Sequence, residues 1–375
     1  MKSEKWNKIL SHALVALLSI ILTVAVMLGI FLVNRQNSPK LQLLEDLINR
    51  CFIGEVDQTA MEDAAAGAMI AALGDRWSYY IPAAEYAEYM EQMNNAYVGI
   101  GVTITPEEDG SIRVIEVTAG GPAEEAGVQA EDRITAVDGQ SILGMSLEDS
   151  QALIRGEENT TVAITVQRGE EELTMTVTRR TIRTVVAKGQ MLEGNIGLVT
   201  IANFNSNCAA ETIAAIEELT QQGAQKLIFD VRNNPGGYAE ELVKVLDYLL
   251  PEGKLFTTVD YAGNEHTDMS DAACLDIPMA VLVNQNSYSA AEFFAAAMAE
   301  YEAAVIVGEK TSGKGYFQNT FVLPDGSAVG LSIGKYYTPN GKSLEKIGIT
   351  PDVEIALGEG ADDTQILAAM DALAG

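Results

Sequence analysis

Val281 to Gln318 reads VLVNQNSYSAAEFFAAAMAEYEAAVIVGEKTSGKGYFQ, and this stretch decides the fold. The apolar, β-rich run Met279 to Val283 stops at Asn284. Ser289 stands just before an alanine-rich helical segment, Ala290 to Tyr301. A second strand follows at Ala304 to Val307, then a lysine between glycines, Gly313-Lys314-Gly315. Strand, helix and parallel strand in this order imply an α/β core, and the alternation continues through the chain after Arg180.

The same stretch offers chemistry. A serine at a strand-to-helix junction exposes its hydroxyl, and the next backbone N–H groups point at whatever reacts there. Ala290 N–H is the natural oxyanion donor. The chain has only two histidines, His12 and His266, and His12 lies in an apolar N-terminal run. A serine nucleophile therefore needs another base, and lysine is the obvious substitute. Lysine titrates near 10.4 in water, so it serves as a base only where burial disfavours the ammonium. The glycines beside Lys314 let the backbone turn tightly and the side chain point inward. Gln318 shares a face with Lys314 in an extended segment and is placed to hold the amine by a hydrogen bond.

Each feature alone has an ordinary reading. Ser289 is also a fitting N-cap, and Gly-Lys-Gly is also a surface turn. Gly308 to Lys314 mimics a phosphate loop, but Gly315 stands where that motif needs Ser or Thr. A second site-like segment lies upstream. Lys226 to Val231 reads as a buried parallel strand. It runs into Arg232-Asn233-Asn234-Pro235-Gly236-Gly237, where backbone N–H groups can approach a ligand closely. The helical Glu240 to Leu250 follows.

Together these segments resemble the C-terminal processing (tail-specific) peptidases, serine enzymes with a Ser-Lys dyad. The family pattern SASASE stands here as Ser287-Tyr288-Ser289-Ala290-Ala291-Glu292, with Tyr288 and Ala291 as departures. GKGxxxQ stands as Gly313-Lys314-Gly315-Tyr316-Phe317-Gln318, and LRNNPGG as Val231 to Gly237. The resemblance implies Ser289 as nucleophile, Lys314 as general base and Gln318 as the residue orienting the lysine. It implies Ala290 and a glycine of the Gly236-Gly237 pair, with Gly236 favoured, as oxyanion donors.

The middle of the chain, residues 96–180, resembles a PDZ domain. The carrying segments are Tyr97 to Val102, Gly120-Gly121-Pro122-Ala123, Asp132-Arg133-Ile134 and Val137-Asp138-Gly139. The helical Leu147 to Ile154 follows, then strands at Val162 to Val166 and Leu173 to Val177. PDZ domains bind extended peptide ends by strand addition. Gly99-Ile100-Gly101 would present N–H groups to a terminal carboxylate, and the resemblance implies that Arg155 reports peptide occupancy to the core.

Ile9 to Val33 is nearly all apolar and long enough to span a bilayer. Lys2, Lys5 and Lys8 precede it, which keeps the N-terminus cytoplasmic; a cleaved signal peptide is the alternative, but its apolar region would be only about 7–15 residues and end in a small-residue cleavage site. The expected organisation is a cytoplasmic N-terminus (1–8), an uncleaved transmembrane signal anchor (9–33), a helical region (34–95), the PDZ domain (96–180) and a protease core with a terminal helix (181–375). That places an extracytoplasmic catalytic domain on a single-pass, bacterial-type cell membrane. In the helical region, Leu41 to Cys51, Met61 to Leu73 and Ala83 to Asn94 read as helices, and the resemblance implies a homodimer through it.

The net charge of −29 argues against nucleic acid as a partner. Cys51, Cys208 and Cys274 have no metal-type spacing, and no metal or other cofactor is expected. The expected function is a membrane-anchored serine endopeptidase acting on protein or peptide substrates with free C-termini. The alternatives are a catalytically inactive PDZ scaffold and a non-proteolytic α/β hydrolase. The latter lacks a G-x-S-x-G elbow around Ser289 and a partner histidine.

Overall fold

The structure is a computed structural model that describes residue 19, residues 39–358 and residues 362–374. Apart from Ser19, the segment 9–33 expected to cross a membrane lies outside the described residues. Among the described residues, no helix is long and apolar enough to cross a membrane. The described residues fall into two compact units that divide between Met69 and Ile70. In the first, Gln58 on the helix Gln58–Ala71 donates to Glu45 on the helix Pro39–Cys51 at 2.7 Å.

The second unit holds the core. Its main sheet has six strands, in the order Ala187–Leu192, Ile196–Ile201, Lys226–Asp230, Met279–Val283, Ala304–Gly308 and Val353–Glu354. The first pair is antiparallel and the rest are parallel. The central strands read as continuous apolar runs because both faces are covered; every residue of Met279–Val283 is buried. The register pairs Phe229 with Val281, and Val283 with Gly308. Three neighbouring parallel strands therefore end at one edge of the sheet, and the loops that leave them meet there. This is where open α/β sheets place their ligands.

The helix Ala290–Glu300 packs into the core on all sides, with Ala290 through Met298 buried. Its alanines let neighbouring elements approach closely. Phe294 supplies bulk, with its ring 5.8 Å from Phe204 and 5.5 Å from Phe229.

A second sheet lies in the same unit. Ala328–Tyr337 pairs on one side with Tyr316–Val322 and on the other with Gly253–Asp260 and Tyr79–Ile81. The last pairing departs from the expected organisation. The region 34–95 is not purely helical, because Tyr79–Ile81 adds a strand to the core. Tyr79 sits opposite Gly330 there, a register that local periodicity does not encode.

Residues 102–178 form a separate antiparallel sheet, Val102–Pro106, Ile112–Val117, Arg133–Val137, Thr161–Arg168 and Glu171–Thr178, with its own buried cluster around Val114, Ile134 and Ile164. The chain enters and leaves this small domain through one ribbon, in which Ala96–Gly99 pairs with Arg180–Arg183.

Candidate active site

Two loops at the C-terminal edge of the main sheet are laced together by asparagines and a serine. Asn233 N–H donates to Asn284 Oδ1 at 2.9 Å, and Asn284 and Asn286 both donate to Asn233 Oδ1 at 3.0 Å. Ser287 Oγ donates to the Val231 carbonyl at 2.7 Å, and Tyr288 N–H to the Asn234 carbonyl at 3.1 Å. The lacing holds Ser289 against the glycine pair. A Cβ placed on Gly236 would fall 2.8 Å from Ser289 Cβ and 2.9 Å from Ala290 N.

Ser289 has φ 59° and ψ −124°, a conformation suited to glycine. A non-glycine residue held there marks a strained turn. Ser289 lines a cavity at the point where the Ala290–Glu300 helix begins. Ala290, as the first helical residue, has an N–H without an intrahelical acceptor.

Glu292, one turn into the helix, is fully buried. Its Oε2 accepts from Ser289 N–H at 3.0 Å and from Lys314 N–H at 2.8 Å. Its Oε1 accepts from Gly313 N–H at 2.7 Å and Thr311 Oγ1 at 2.5 Å. Burial pushes this carboxyl above the usual carboxylate range, against the pull of those donors. One side chain thus ties the backbone of Ser289 to that of Lys314. Gly313 makes the lysine turn possible with φ 79°, where a Cβ would also meet Ile347 N at 3.0 Å.

Lys314 is half-buried, and its pKa is lowered to about 8, chiefly because that burial disfavours the ammonium. Asp75, Glu292 and Glu345 oppose that effect and Arg76 adds to it. Nζ lies 4.9 Å from the centre of the Trp77 ring and 5.8 Å from that of Tyr288. Ser289 and Lys314 open onto one cavity of about 640 Å³, shared with Gly236, Gly237 and Gln318.

Two expected roles meet a different geometry. Gly236 N–H is not free, since it donates to Asn234 Oδ1 at 2.8 Å. Its carbonyl accepts from Phe204 N–H, and Tyr238 N–H donates to the Phe204 carbonyl. Gly237 N–H takes no part in that bridge, and Gly237 lines the cavity beside Ser289. Gly237 therefore replaces Gly236 as the candidate second donor. Gln318 reaches the cavity, but its amide donates to the Tyr316 carbonyl at 3.1 Å and Ser332 Oγ at 3.0 Å. Among the described residues Lys314 Nζ has no hydrogen bond, to Gln318 or otherwise. The even spacing from Lys314 to Gln318 suggested a shared face, but the bulge between Phe317 and Gln318 breaks the alternation behind that reading.

Sequence reasoning also missed the roof over Lys314. Trp77 and Arg76 lie more than 200 residues upstream, and only the aromatic-rich run Trp77-Ser78-Tyr79-Tyr80 hinted at them. His266 is exposed, pairs with Asp268 at 3.3 Å, and lies outside the cavity lining. His12 lies outside the described residues. Among the described residues, no group of three or more His, Cys, Asp or Glu could hold a metal.

A second cavity, of about 180 Å³, gathers Gly99, Ile100, Gly101 and Arg155 with Tyr97, Val102 and Gln151. It lies beside the Leu147–Ile154 helix and the start of Val102–Pro106. Arg155 forms an ion pair with Glu91 at 3.3 Å.

The description "Peptidase family S41" matches residues 195–355, and "PDZ domain" matches residues 113–168. A Staphylococcus aureus (strain COL) protein named "Probable CtpA-like serine protease" is 32% identical over 331 residues, covering 87% of this chain and 66% of its own. The protein of the same name from Staphylococcus epidermidis is 30% identical over 367 residues, covering 95% of this chain and 74% of its own. A solved photosystem II D1 C-terminal processing protease is 29% identical, covering 89% of this chain and 91% of its own, with a TM-score of 0.49.

Proposed function

The chain belongs to peptidase family S41, among the serine-type C-terminal processing peptidases that carry a PDZ domain, and from that premise we propose that it is an endopeptidase selecting protein substrates by their C-terminal tails. The carrying observation is the strained Ser289 and the half-buried Lys314 on one cavity, tied through Glu292.

In this reading neutral Lys314 takes the proton of Ser289 Oγ as the oxygen attacks the scissile carbonyl carbon. The tetrahedral oxyanion forms against Ala290 N–H and Gly237 N–H, which need not reorganise as charge develops. The lysine ammonium then gives its proton to the leaving amine, and the C–N bond breaks. Water, deprotonated by the same lysine, releases the acyl group from Ser289. Gln318 borders the cavity beside Lys314, and a role in positioning the lysine rests on that placement alone.

The second cavity is the tail site. Backbone N–H groups of Gly99-Ile100-Gly101 take the terminal carboxylate, and Arg155 reports its arrival through Glu91. An N-terminal anchor over residues 9–33, with the catalytic region outside the cytoplasm, is supported by the apolar run and the lysines that precede it. Exposed Leu41, Leu43, Leu44 and Leu47 support self-association through the helical region.

The test is cleavage of casein by the full-length chain in detergent. Ser289→Ala, Lys314→Ala and the double variant should lose activity to similar extents, because members of a dyad are not additive. Lys314→Arg should fail too, since guanidinium does not deprotonate at workable pH. In the native enzyme kcat/KM should rise with pH through about 8, as the lysine loses its proton. Retained cleavage by Lys314→Ala at neutral pH sinks the assignment.

A further inference from the structure

We infer that Trp77, stacked on Tyr288, is the positioning residue that keeps water from Lys314, so that a segment preceding the PDZ domain completes the catalytic site. The inference rests on Lys314 as the base. Trp77 lies outside both matched regions, 113–168 and 195–355.

The indole does not reach the lysine by a loose contact. Its ring is stacked on Tyr288, centroids 5.9 Å apart and 27° between planes. Arg76 covers the ring at 3.9 Å while its guanidinium donates to the carbonyl and Oγ of Ser312, both at 3.1 Å. Ser312 is two residues before the lysine. On the other side, Asp75 accepts from Trp77 N–H at 3.2 Å and from Ser78 Oγ at 2.6 Å. Ser78 Oγ in turn accepts from Ser332 N–H at 3.1 Å. The strand Tyr79–Ile81 then pairs with Ala328–Tyr337. The segment is thus anchored before, at and after the tryptophan.

The ring acts on the lysine in two opposed ways. Its face attracts an ammonium at 4.9 Å, which favours the charged form. Its bulk excludes water, which favours the neutral form. The charged groups facing Lys314 are Asp75 and Arg76 on the segment itself, Glu292 on the helix beneath, and Glu345 on the neighbouring loop. Three acids against one base favour the ammonium, so a lowered pKa requires that water exclusion prevail. Trp77 Nε1 is buried without a hydrogen-bond partner. The position therefore uses the indole for its surface, and Trp77→Phe removes no hydrogen bond.

The experiment is the pH profile of kcat/KM for casein cleavage by the full-length chain and its Trp77 variants. Trp77→Ala should move the alkaline-rising limb upward by about one pH unit as water reaches the ammonium. Trp77→Phe should restore the limb to the native position. Trp77→Leu, which keeps apolar bulk without the ring's attraction, should leave it there or move it lower. Should Trp77→Ala fail to fold, Trp77→Val replaces it, with a smaller upward shift expected. A fall in kcat with an unmoved limb would reduce Trp77 to a structural role. A downward shift in Trp77→Ala would mean that attraction to the ring prevails, and would overturn the inference. Either result with Lys314→Ala inactive leaves the dyad standing, whereas activity in Lys314→Ala refutes the dyad itself.

Discussion

Ser289 pays for its exposure in backbone strain. At φ 59° and ψ −124° a Cβ is costly, by about 1–3 kcal/mol for such sparsely populated conformations. Serine and alanine both carry that Cβ, and glycine does not. Ser289→Gly should therefore be more stable than Ser289→Ala by about 1 kcal/mol, after allowance for the greater freedom of glycine in the unfolded chain. Both variants should be inactive. Urea unfolding midpoints of the two decide the matter, and a glycine variant less stable than the alanine variant would show that the turn stores no strain.

The Ala290–Glu300 helix does more than present a serine. Through Glu292 it fixes the distance between two loops that leave different strands. Glu292 Oε2 holds Ser289 N–H and Lys314 N–H together, while Oε1 holds Gly313 and Thr311. In Glu292→Gln one of those oxygens becomes an NH2 group facing backbone donors. Leaving buried groups unpaired costs about 1–3 kcal/mol each. We expect that variant to lose about 2 kcal/mol of stability and to drop in kcat much more than it rises in KM, because the geometry of attack is spoiled while the substrate cavity remains. A rise in KM with kcat unchanged would place Glu292 in substrate binding instead.

Across the molecule, the helix Ala83–Asn94 stands between the two cavities. Tyr89, Met90, Gln92 and Met93 line the one holding Ser289, and Glu91 pairs with Arg155 at the other. On the proposed reading, a carboxylate arriving at Gly99-Ile100-Gly101 would compete with Glu91 for Arg155. The ion pair is half exposed and worth little by itself, so it yields readily. Amidating the C-terminus of a substrate peptide should lower kcat/KM about tenfold, the equivalent of one charge-assisted hydrogen bond. In Arg155→Ala the difference between free-acid and amidated peptides should narrow but persist, because the loop N–H groups that take the carboxylate remain. Equal rates on the native enzyme would mean that this domain does not read the C-terminus.

Ser289, Lys314 and the Asn-Pro-Gly-Gly turn were legible in the chain because each belongs to a short motif at the end of an apolar strand, and parallel strands in register bring their ends together. The α/β core and the helix Ala83–Asn94 were legible for the same reason, since periodicity is local. Which N–H of the glycine pair is left free was not, because it depends on which neighbour occupies each one. Asn234 takes Gly236, and Phe204, distant in sequence, takes the flanking groups. The partners of Gln318 follow from a bulge that appears only when two strands pair. Trp77 and Lys314 meet across 237 positions of the chain. No residue pattern carries that contact. The sequence by itself determined which groups can do chemistry here, since reactivity is a property of residue type and local turn. Only the tertiary structure decided which of them are free, paired or dry, because hydrogen-bond competition and exclusion of water arise where distant segments pack together.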